Sequence, residues 1–143
     1  MLMVIPVFLA VAFVSVGIPL LLGLSKEALL GQKITDPVAF IMQVIHYMVF
    51  VGVVEEIVFR GFLLRGLKEV TKSDTLAVII SALIFGIWHF PANQDFLQVA
   101  MTAVIGLLYG FSLVKIKNCS LLTVGIAHGL QDTFLLILTS SLL

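Results

Sequence analysis

The amino-acid sequence predicts an all-α, polytopic membrane bundle of about five transmembrane helices. The first observation is composition: hydrophobic residues make up 61% and charged residues 11% of the 143 residues, and the mean hydropathy is +1.22. A soluble domain has roughly 45–50% apolar and about 25% charged residues, so this chain has too few polar groups to cover a surface in water. The second observation is that its apolar residues fall into five runs separated by short polar segments.

Each run is apolar over most of its length; the runs are Leu2–Leu24, Val38–Val54, Leu76–Phe90, Phe96–Val114 and Leu121–Leu143. A helix that rises 1.5 Å per residue needs roughly 20 residues to cross a core of ~30 Å, with about 17 as the lower limit. The first, fourth and fifth runs meet this length. The first run lacks the basic start and the small-residue cleavage site of a signal peptide, which favours a spanning helix.

The second and third runs need adjusted boundaries. The second is expected to continue as one helix past Val54 to about Val70, because apolar residues keep recurring after it. Within this extension, Gly61 and Gly66 would let a neighbouring helix approach closely. The third run is short for a span, so its helix is expected to begin nearer Asp74.

Charge and cysteine content exclude several classes of function. The eight basic and eight acidic side chains give a formal net charge of zero, so no nucleic-acid partner is indicated. A single cysteine, Cys119, excludes an internal disulfide and a cysteine-cluster metal site. Lys and Arg are more numerous in the loops at 65–74 and 115–120 than in those at 25–37 and 91–95. The positive-inside rule therefore places the N-terminus in the cytoplasm.

Ionisable side chains lie inside or beside the apolar runs. At mid-membrane, such a group costs at least about 2.5–3.5 kcal/mol on insertion scales, so it needs a partner or a function. The residues concerned are Glu55, Glu56, Arg60, His89, His128 and Asp132. Their number in so short a chain indicates an intramembrane site.

Helix geometry is expected to bring four of these groups to one level. Glu55 lies about 17 residues before the turn between the second and third helices, and His89 about 17 residues after it. In an antiparallel hairpin, equal distance from the turn means equal height in the membrane. Asp132 lies about 14–15 residues beyond the turn that precedes the fifth helix, and His128 about one helical turn nearer.

The residue types favour hydrolysis of an amide by an activated water. A carboxylate and an imidazole can jointly deprotonate a water, which then attacks a carbonyl carbon. A second histidine beside a polar partner can hydrogen-bond the oxyanion that develops. Glu56 and Arg60 share a helix face at i,i+4, where a structural pair would neutralise both charges and fix the rotation that aims Glu55.

Three segments of this chain resemble the motifs of one known family. Glu55–Gly61 (EEIVFRG), Phe85–His89 (FGIWH) and His128–Asp132 (HGLQD) are similar to the EExxxR, FxxxH and HxxxN/D motifs of the CPBP family. That family comprises the CAAX prenyl proteases of the Rce1 type and their bacterial and archaeal relatives. We accordingly expect an N-terminal transmembrane helix and loop at residues 1–37 and a protease-like core at 38–143.

The resemblance implies an intramembrane endopeptidase. Carried over by motif position, the catalytic residues are Glu55, His89, His128 and Asp132, with Glu56 and Arg60 in support. Glu55 would be the general base, His89 would help to activate the water, and the other two catalytic residues would form the oxyanion side. Position 132 departs from the best-studied members, which carry Asn there. An ionised Asp132 cannot donate to an oxyanion, so it would have to be protonated or orient His128 instead.

The resemblance leaves the type of protease open between glutamic and metallo. Glu55, His89 and His128 form a possible zinc set by residue type. No cofactor is favoured, however, because the sequence has no HExxH-type helix. The expected partners are the lipid bilayer and a peptide or protein substrate at the membrane, as in CAAX-type processing of a membrane-anchored protein. A prokaryotic cell membrane is the expected location.

Two functions of other classes stay open at this stage. One is a non-proteolytic membrane protein for bacteriocin immunity or binding, because the resembled family has members linked to bacteriocin systems. The other is a small transporter or proton pathway that uses the same buried acids. A transporter of this kind would show internal pseudo-symmetry or interrupted helices, and the sequence has neither.

Overall fold

The computed structural model describes residues 3–23, 33–93 and 96–142. Regular structure in these ranges is entirely helical, which confirms the predicted all-α class. A single further turn of helix lies at Phe90–Asn93. The main helices are α1 (Val4–Leu21), α2 (Pro37–Thr71), α3 (Asp74–Trp88), α4 (Phe96–Lys115) and α5 (Leu121–Leu142).

Four of the helices, α1, α2, α4 and α5, are long and apolar enough to cross a membrane. Helix α3 has 15 residues, which corresponds to about 22 Å. Large apolar side chains on the outside of the bundle are exposed, including Ile41, Phe50 and Phe62 on α2. An apolar exterior of this extent fits a lipid environment and not water.

Helix α2 is continuous over 35 residues, which confirms the prediction that it runs past Val54 to about Val70. It contains two π-helical stretches, His46–Glu55 and Ile57–Leu63. In a π-helix each N–H bonds to the carbonyl five residues back, and such stretches occur frequently at functional sites. Lys72 adopts the left-handed conformation with a φ of 54° and ends the helix.

Helix α3 begins at Asp74, as predicted. Its N-cap is Ser73, whose side-chain oxygen accepts a hydrogen bond from the Leu76 N–H at 3.3 Å. The Asp74 carboxylate in the first turn also interacts favourably with the helix dipole. The helix ends at Trp88, shortly before Pro91, which has no N–H with which to continue it.

Glycines set the contact between α2 and α5. A Cβ atom at Gly52 would lie 2.6 Å from the Gly125 oxygen and 2.6 Å from the Gly129 nitrogen, so the two backbones touch. The close approach expected at Gly66 is wrong, because no neighbouring atom of the described residues lies within 4 Å of a Cβ atom built there. At Gly61 the nearest neighbour is a leucine side chain at 3.1 Å and not a helix backbone.

Helices α3 and α4 form a second close pair. A Cβ atom at Gly86 would lie 2.6 Å from the Val99 oxygen, and one at Gly110 would lie 2.8 Å from a methyl group of Val78. Helix–helix contacts in membranes are enriched in such small residues because they let backbones approach. The pair positions the end of α3 beside the middle of α2.

Helix α1 packs against α5 and α4. Its buried face consists of Val4, Val7 and Val11, which join Val124, Ala127 and Tyr109 in one apolar cluster. A buried polar contact adds to this interface, since the Gln131 amide donates a hydrogen bond to the Ser15 hydroxyl at 2.5 Å.

The lysine-rich loops before α3 and after α4 share one end of the bundle. Lys68 Nζ donates to Asp74 Oδ1 at 2.8 Å. This hydrogen bond, followed by the charge of Lys115, holds the pKa of Asp74 below its ordinary value. Most of the loop expected at 25–37, and residues 94–95 of the loop expected at 91–95, lie outside the described residues.

Candidate active site

The ionisable residues singled out in the sequence meet where α2, α3 and α5 come together. Glu55 lies near the middle of α2, and His89 directly follows the last residue of α3. Glu55 Oε2 is 3.9 Å from His89 Nε2. On α5, His128 Nε2 is 3.6 Å from Asp132 Oδ2. The residue counts from the two turns therefore correctly predicted that these side chains lie close together.

One half of the cluster is buried and consists of Glu56, Arg60 and His128. Glu56 Oε1 accepts a hydrogen bond from His128 Nδ1 at 3.0 Å and also lies 3.0 Å from Arg60 Nη1. Glu56 is 0% exposed and Arg60 1% exposed. A single carboxylate oxygen thus joins a guanidinium on its own helix to an imidazole on α5.

Arg60 is held by α3 and α4 as well as by Glu56. Its Nη2 atom donates to the Gly106 carbonyl on α4 at 3.2 Å. The guanidinium carbon lies 4.2 Å from the centroid of the Phe85 ring, a cation–π geometry. A Cβ atom at Gly106 would stand 3.1 Å from the same Nη2 atom, so the glycine leaves room for the donor.

The other half of the cluster, which we call the accessible half, is only partly buried. The side chains of Glu55, His89 and Asp132 are 24%, 22% and 23% exposed. His89 Nδ1 lies 2.8 Å from the Phe85 carbonyl oxygen. Because a carbonyl only accepts, Nδ1 carries the hydrogen and donates it, so neutral His89 presents a bare Nε2 towards Glu55. Phe85 also packs edge-on against the His89 ring, with the two ring centroids 4.8 Å apart.

The Glu55–His89 distance suits a bridging water. At 3.9 Å the two atoms are too far apart for a direct hydrogen bond. Both are acceptors, so one water between them can donate a hydrogen to each. Electrostatic interaction with His128 and Asp132 also reaches Glu55. Glu55 Oε2 is itself buried and has no hydrogen-bond partner among the described residues. The pair can therefore bind and polarise a water held between Glu55 and His89.

His128 occupies the boundary between the halves. Its Nδ1 donates to Glu56, which leaves Nε2 to face Asp132 and the accessible side. Its ring lies between two aromatic rings, Phe85 at 6.0 Å and Tyr109 at 5.2 Å. This packing fixes the direction of Nε2.

Within residues 3–23, 33–93 and 96–142, no group of three or more His, Cys, Asp or Glu side chains could hold a metal ion. The Nδ1 atoms of His89 and His128 are hydrogen-bonded to a carbonyl and to Glu56, which leaves Nε2 of each ring as the nitrogen that could bind a ligand. The zinc set of Glu55, His89 and His128 stays a prediction.

Three parts of the site had no signal in the sequence. The hydrogen bond between Glu56 and His128 joins two motifs that have different expected roles, a structural pair with Arg60 and the oxyanion side. Gly106 and Tyr109 lie on α4, which carries none of the motifs. A tyrosine or a glycine in an apolar helix is ordinary, so only the contacts with Arg60 and His128 identify these residues.

Comparison with known protein families gives a match over most of the chain. The family model for Rce1-like proteins, described as type II CAAX prenyl endopeptidase Rce1-like, matches residues 37–134. This range includes all six residues of the cluster and begins at the start of α2. No curated protein and no solved structure gives a significant match.

Proposed function

We propose, because the chain belongs to the Rce1-like family of type II CAAX prenyl endopeptidases, that it cleaves a membrane-anchored peptide with a water activated by Glu55 and His89. The family implies a protease. The four long apolar helices of this chain indicate an integral membrane protein. The observation that carries the proposal is the partly buried Glu55–His89 pair, whose facing atoms are 3.9 Å apart.

In the proposed first step, Glu55 takes one proton from the water, and His89 Nε2 accepts a hydrogen bond from the other hydrogen of the same water. The resulting hydroxide-like oxygen attacks the scissile carbonyl carbon, and the carbonyl oxygen becomes an oxyanion. Protonated Glu55 then gives its proton to the leaving amine as the carbon–nitrogen bond breaks. The general base is thus restored, and no other proton donor is needed.

In this proposal, His128 stabilises the oxyanion by donating a hydrogen bond to it. For His128 Nε2 to donate, the ring must carry both hydrogens, and the carboxylates of Glu56 and Asp132 balance the resulting charge. Asp132 as a carboxylate serves by orienting His128, since it has no hydrogen of its own to donate. A preorganised charged donor of this kind commonly contributes 10²–10³-fold, or about 2.7–4 kcal/mol, to an enzymatic rate.

The substrate class follows from the family and from the position of the site. The side chains of Glu55 and His89 are partly buried, and large apolar side chains cover the outside of the bundle. A peptide bond close to a lipid anchor can reach such a site without leaving the membrane. We therefore propose a prenylated, CAAX-type protein or peptide as the substrate.

The test is cleavage of a fluorogenic prenylated CaaX peptide by the purified protein in detergent. Wild type should cleave it. Glu55→Gln should cleave it about 10²–10⁴-fold more slowly, because the amide cannot accept the proton. The matched control is Glu69→Gln, the same change on the same helix at an exposed position, which should keep the wild-type rate.

Two further arms complete the experiment. Cleavage that survives a chelator in wild type supports the metal-free glutamate mechanism, and cleavage that a chelator abolishes contradicts it. Equal background signal from wild type and Glu55→Gln would contradict CAAX processing. A role without proteolysis, such as immunity or binding, would then have to be considered.

A further inference from the structure

A buried hydrogen bond joins α1 to α5 next to the site. The side-chain amide of Gln131 donates to the Ser15 hydroxyl, and the two atoms are 2.5 Å apart. Gln131 is 1% exposed and Ser15 is 7% exposed. On α5, Gln131 follows His128 by three residues and directly precedes Asp132. The hydrogen bond therefore holds α5 less than one helical turn from both of these site residues.

The interface around this hydrogen bond is largely apolar. The three buried valines of α1 lie in one cluster with Val124 and Ala127 of α5, and Phe8 packs edge-on against Phe134 with ring centroids 5.8 Å apart. Val124, Ala127 and Gln131 recur at i, i+3 and i+7, so they share one face of α5. Apolar burial has no preferred direction, whereas a polar pair in an apolar interface specifies one register.

Two other faces of α5 point to α2 and to the site. Gly125 and Gly129 contact the backbone of α2, while His128 and Asp132 carry the side chains of the site. Glycines let the two backbones approach closely, but they have no side chains that interlock with a partner helix. The rotation of α5 about its own axis therefore depends on side chains of its other faces, of which Gln131 is bonded to α1.

We propose that Ser15 and Gln131 are positioning residues, whose hydrogen bond fixes the rotation of α5 that aims His128 at the substrate oxyanion. This inference rests on the proposed protease function. Phe85 and Tyr109 hold the His128 ring on two sides, and the rotation of α5 sets how far the ring reaches between them. Side-chain ends lie about 5–6 Å from a helix axis, so a rotation of about 20° displaces them by roughly 2 Å. A misplacement of about 1 Å can cost about 10²-fold in rate.

The proposal makes α1 necessary for full activity, although α1 precedes the family-matched residues 37–134. Ser15 lies at the middle of a π-helical stretch of α1, Phe13–Gly17. Such stretches occur frequently at functional sites, and the extra residue in a π turn changes which side chain faces the neighbouring helix. The local conformation of α1 is thus consistent with a hydroxyl that is directed at α5.

The first test is the double variant Ser15→Ala with Gln131→Leu on the prenylated peptide. Replacing both partners by apolar groups leaves no buried polar group unpaired, so the unfolding midpoint in detergent should stay equal or rise. We expect kcat to fall about 10–100-fold and KM to change by less than about threefold, because the aim of His128 matters in the transition state. An unchanged kcat in the folded double variant overturns the proposal.

A pair of single variants isolates the hydroxyl. Threonine and valine have nearly the same shape, and only threonine keeps a hydroxyl. Ser15→Thr should therefore keep the wild-type kcat, while Ser15→Val should lose as much as the double variant. Equal kcat values for Ser15→Thr and Ser15→Val overturn the role of the hydrogen bond.

The matched control is Thr139→Val on α5. Thr139 is 2% exposed, and its hydroxyl donates to the Leu135 carbonyl of its own helix at 2.8 Å. It lies about two turns beyond Asp132. This change removes a buried hydroxyl from α5 without touching the hydrogen bond to α1, so kcat should stay unchanged. A loss as large as that in the double variant would show a general effect of removing buried hydroxyls and overturns the proposal.

A second test uses a non-hydrolysable phosphinate analogue of the peptide, which mimics the tetrahedral intermediate. The double variant should bind it about 10–100-fold more weakly than wild type and bind the uncleaved peptide equally well. In the His128→Ala background this loss should disappear, because no imidazole is left to be aimed. An equal loss in both backgrounds overturns the assignment to His128.

The outcomes separate the two proposals. If wild type neither cleaves the peptide nor binds the phosphinate, the proposed function itself fails. If wild type cleaves the peptide and the folded double variant cleaves it equally well, only the role of Ser15 and Gln131 fails.

Discussion

Glu56 is the residue on which the buried half of the site depends. A buried carboxylate is costly unless it is paired, and Glu56 has two partners on one oxygen. Through them it fixes the Arg60 guanidinium against Phe85 and directs His128 Nε2 to the accessible side. Its neighbour Glu55 faces that accessible side, so two adjacent carboxylates have different tasks.

We predict that Glu56→Gln strongly destabilises the protein. The amide can still accept from His128, but the Arg60 charge loses its partner in a position that is 1% exposed. Removing one member of a buried ion pair typically costs about 3–5 kcal/mol. Thermal unfolding in detergent measures the change.

The control for this prediction is the double variant Glu56→Gln with Arg60→Met. It removes the unpaired charge and should recover a large part of the stability. A midpoint for Glu56→Gln equal to that of wild type would show that Arg60 finds another anionic partner.

At the scale of elements, the contact between α2 and α5 decides the site. Gly52 on α2 touches the backbone of α5 between Gly125 and Gly129. Glu55 and Glu56 follow Gly52 by about one turn, and His128 lies between the two α5 glycines in sequence. The spacing between the two helices at this point therefore sets the Glu56–His128 distance.

We predict that Gly52→Val separates the two helices and disrupts the site. Its Cβ would stand 2.6 Å from α5 backbone atoms, which cannot move aside as a flexible side chain can. Both the unfolding midpoint and peptide cleavage should fall sharply. The matched control is Gly66→Val on the same helix. Within the part of the chain that the structure describes, a Cβ atom there has no neighbour within 4 Å, so both properties should be kept.

At the scale of the whole molecule, we expect the site to lie within the bilayer. Helix α2 has 35 residues, or roughly 52 Å, and exceeds a hydrocarbon core of ~30 Å, so part of it lies outside. The charged end around Arg65 and Lys68 is the part that suits water. Glu55 precedes Arg65 by about ten residues, which puts the site roughly 15 Å from that surface.

The single cysteine gives a test of orientation. Cys119 lies in the loop between α4 and α5, at the lysine-rich end, and is a half-buried free thiol. The positive-inside rule predicts that a membrane-impermeant maleimide labels it from the cytoplasmic side only. Burial raises the pKa of the thiol, so labelling should be faster at mildly alkaline pH, where more thiolate is present.

Inside-out vesicles and intact cells provide the two sides for this measurement. Labelling in inside-out vesicles without labelling in intact cells supports the expected orientation, and the reverse result contradicts it. Cys119→Ser is the control for labelling of other groups.

The sequence by itself determined the membrane class, most helix boundaries and the level at which the ionisable residues meet. These features depend on local quantities, namely the length of apolar runs, the rise per residue and the distance to a turn. These quantities alone predict that Glu55 and His89 lie opposite each other. The motif resemblance likewise predicted the family.

The tertiary structure alone decided which atoms are partners. Helical periodicity cannot say that Glu56 bonds to His128 across helices, that Gly52 and not Gly66 faces a neighbour, or that Tyr109 lies against His128. Such contacts depend on the rotation and crossing of whole helices. These are set by the packing of all the buried side chains together and not by any one segment of the sequence.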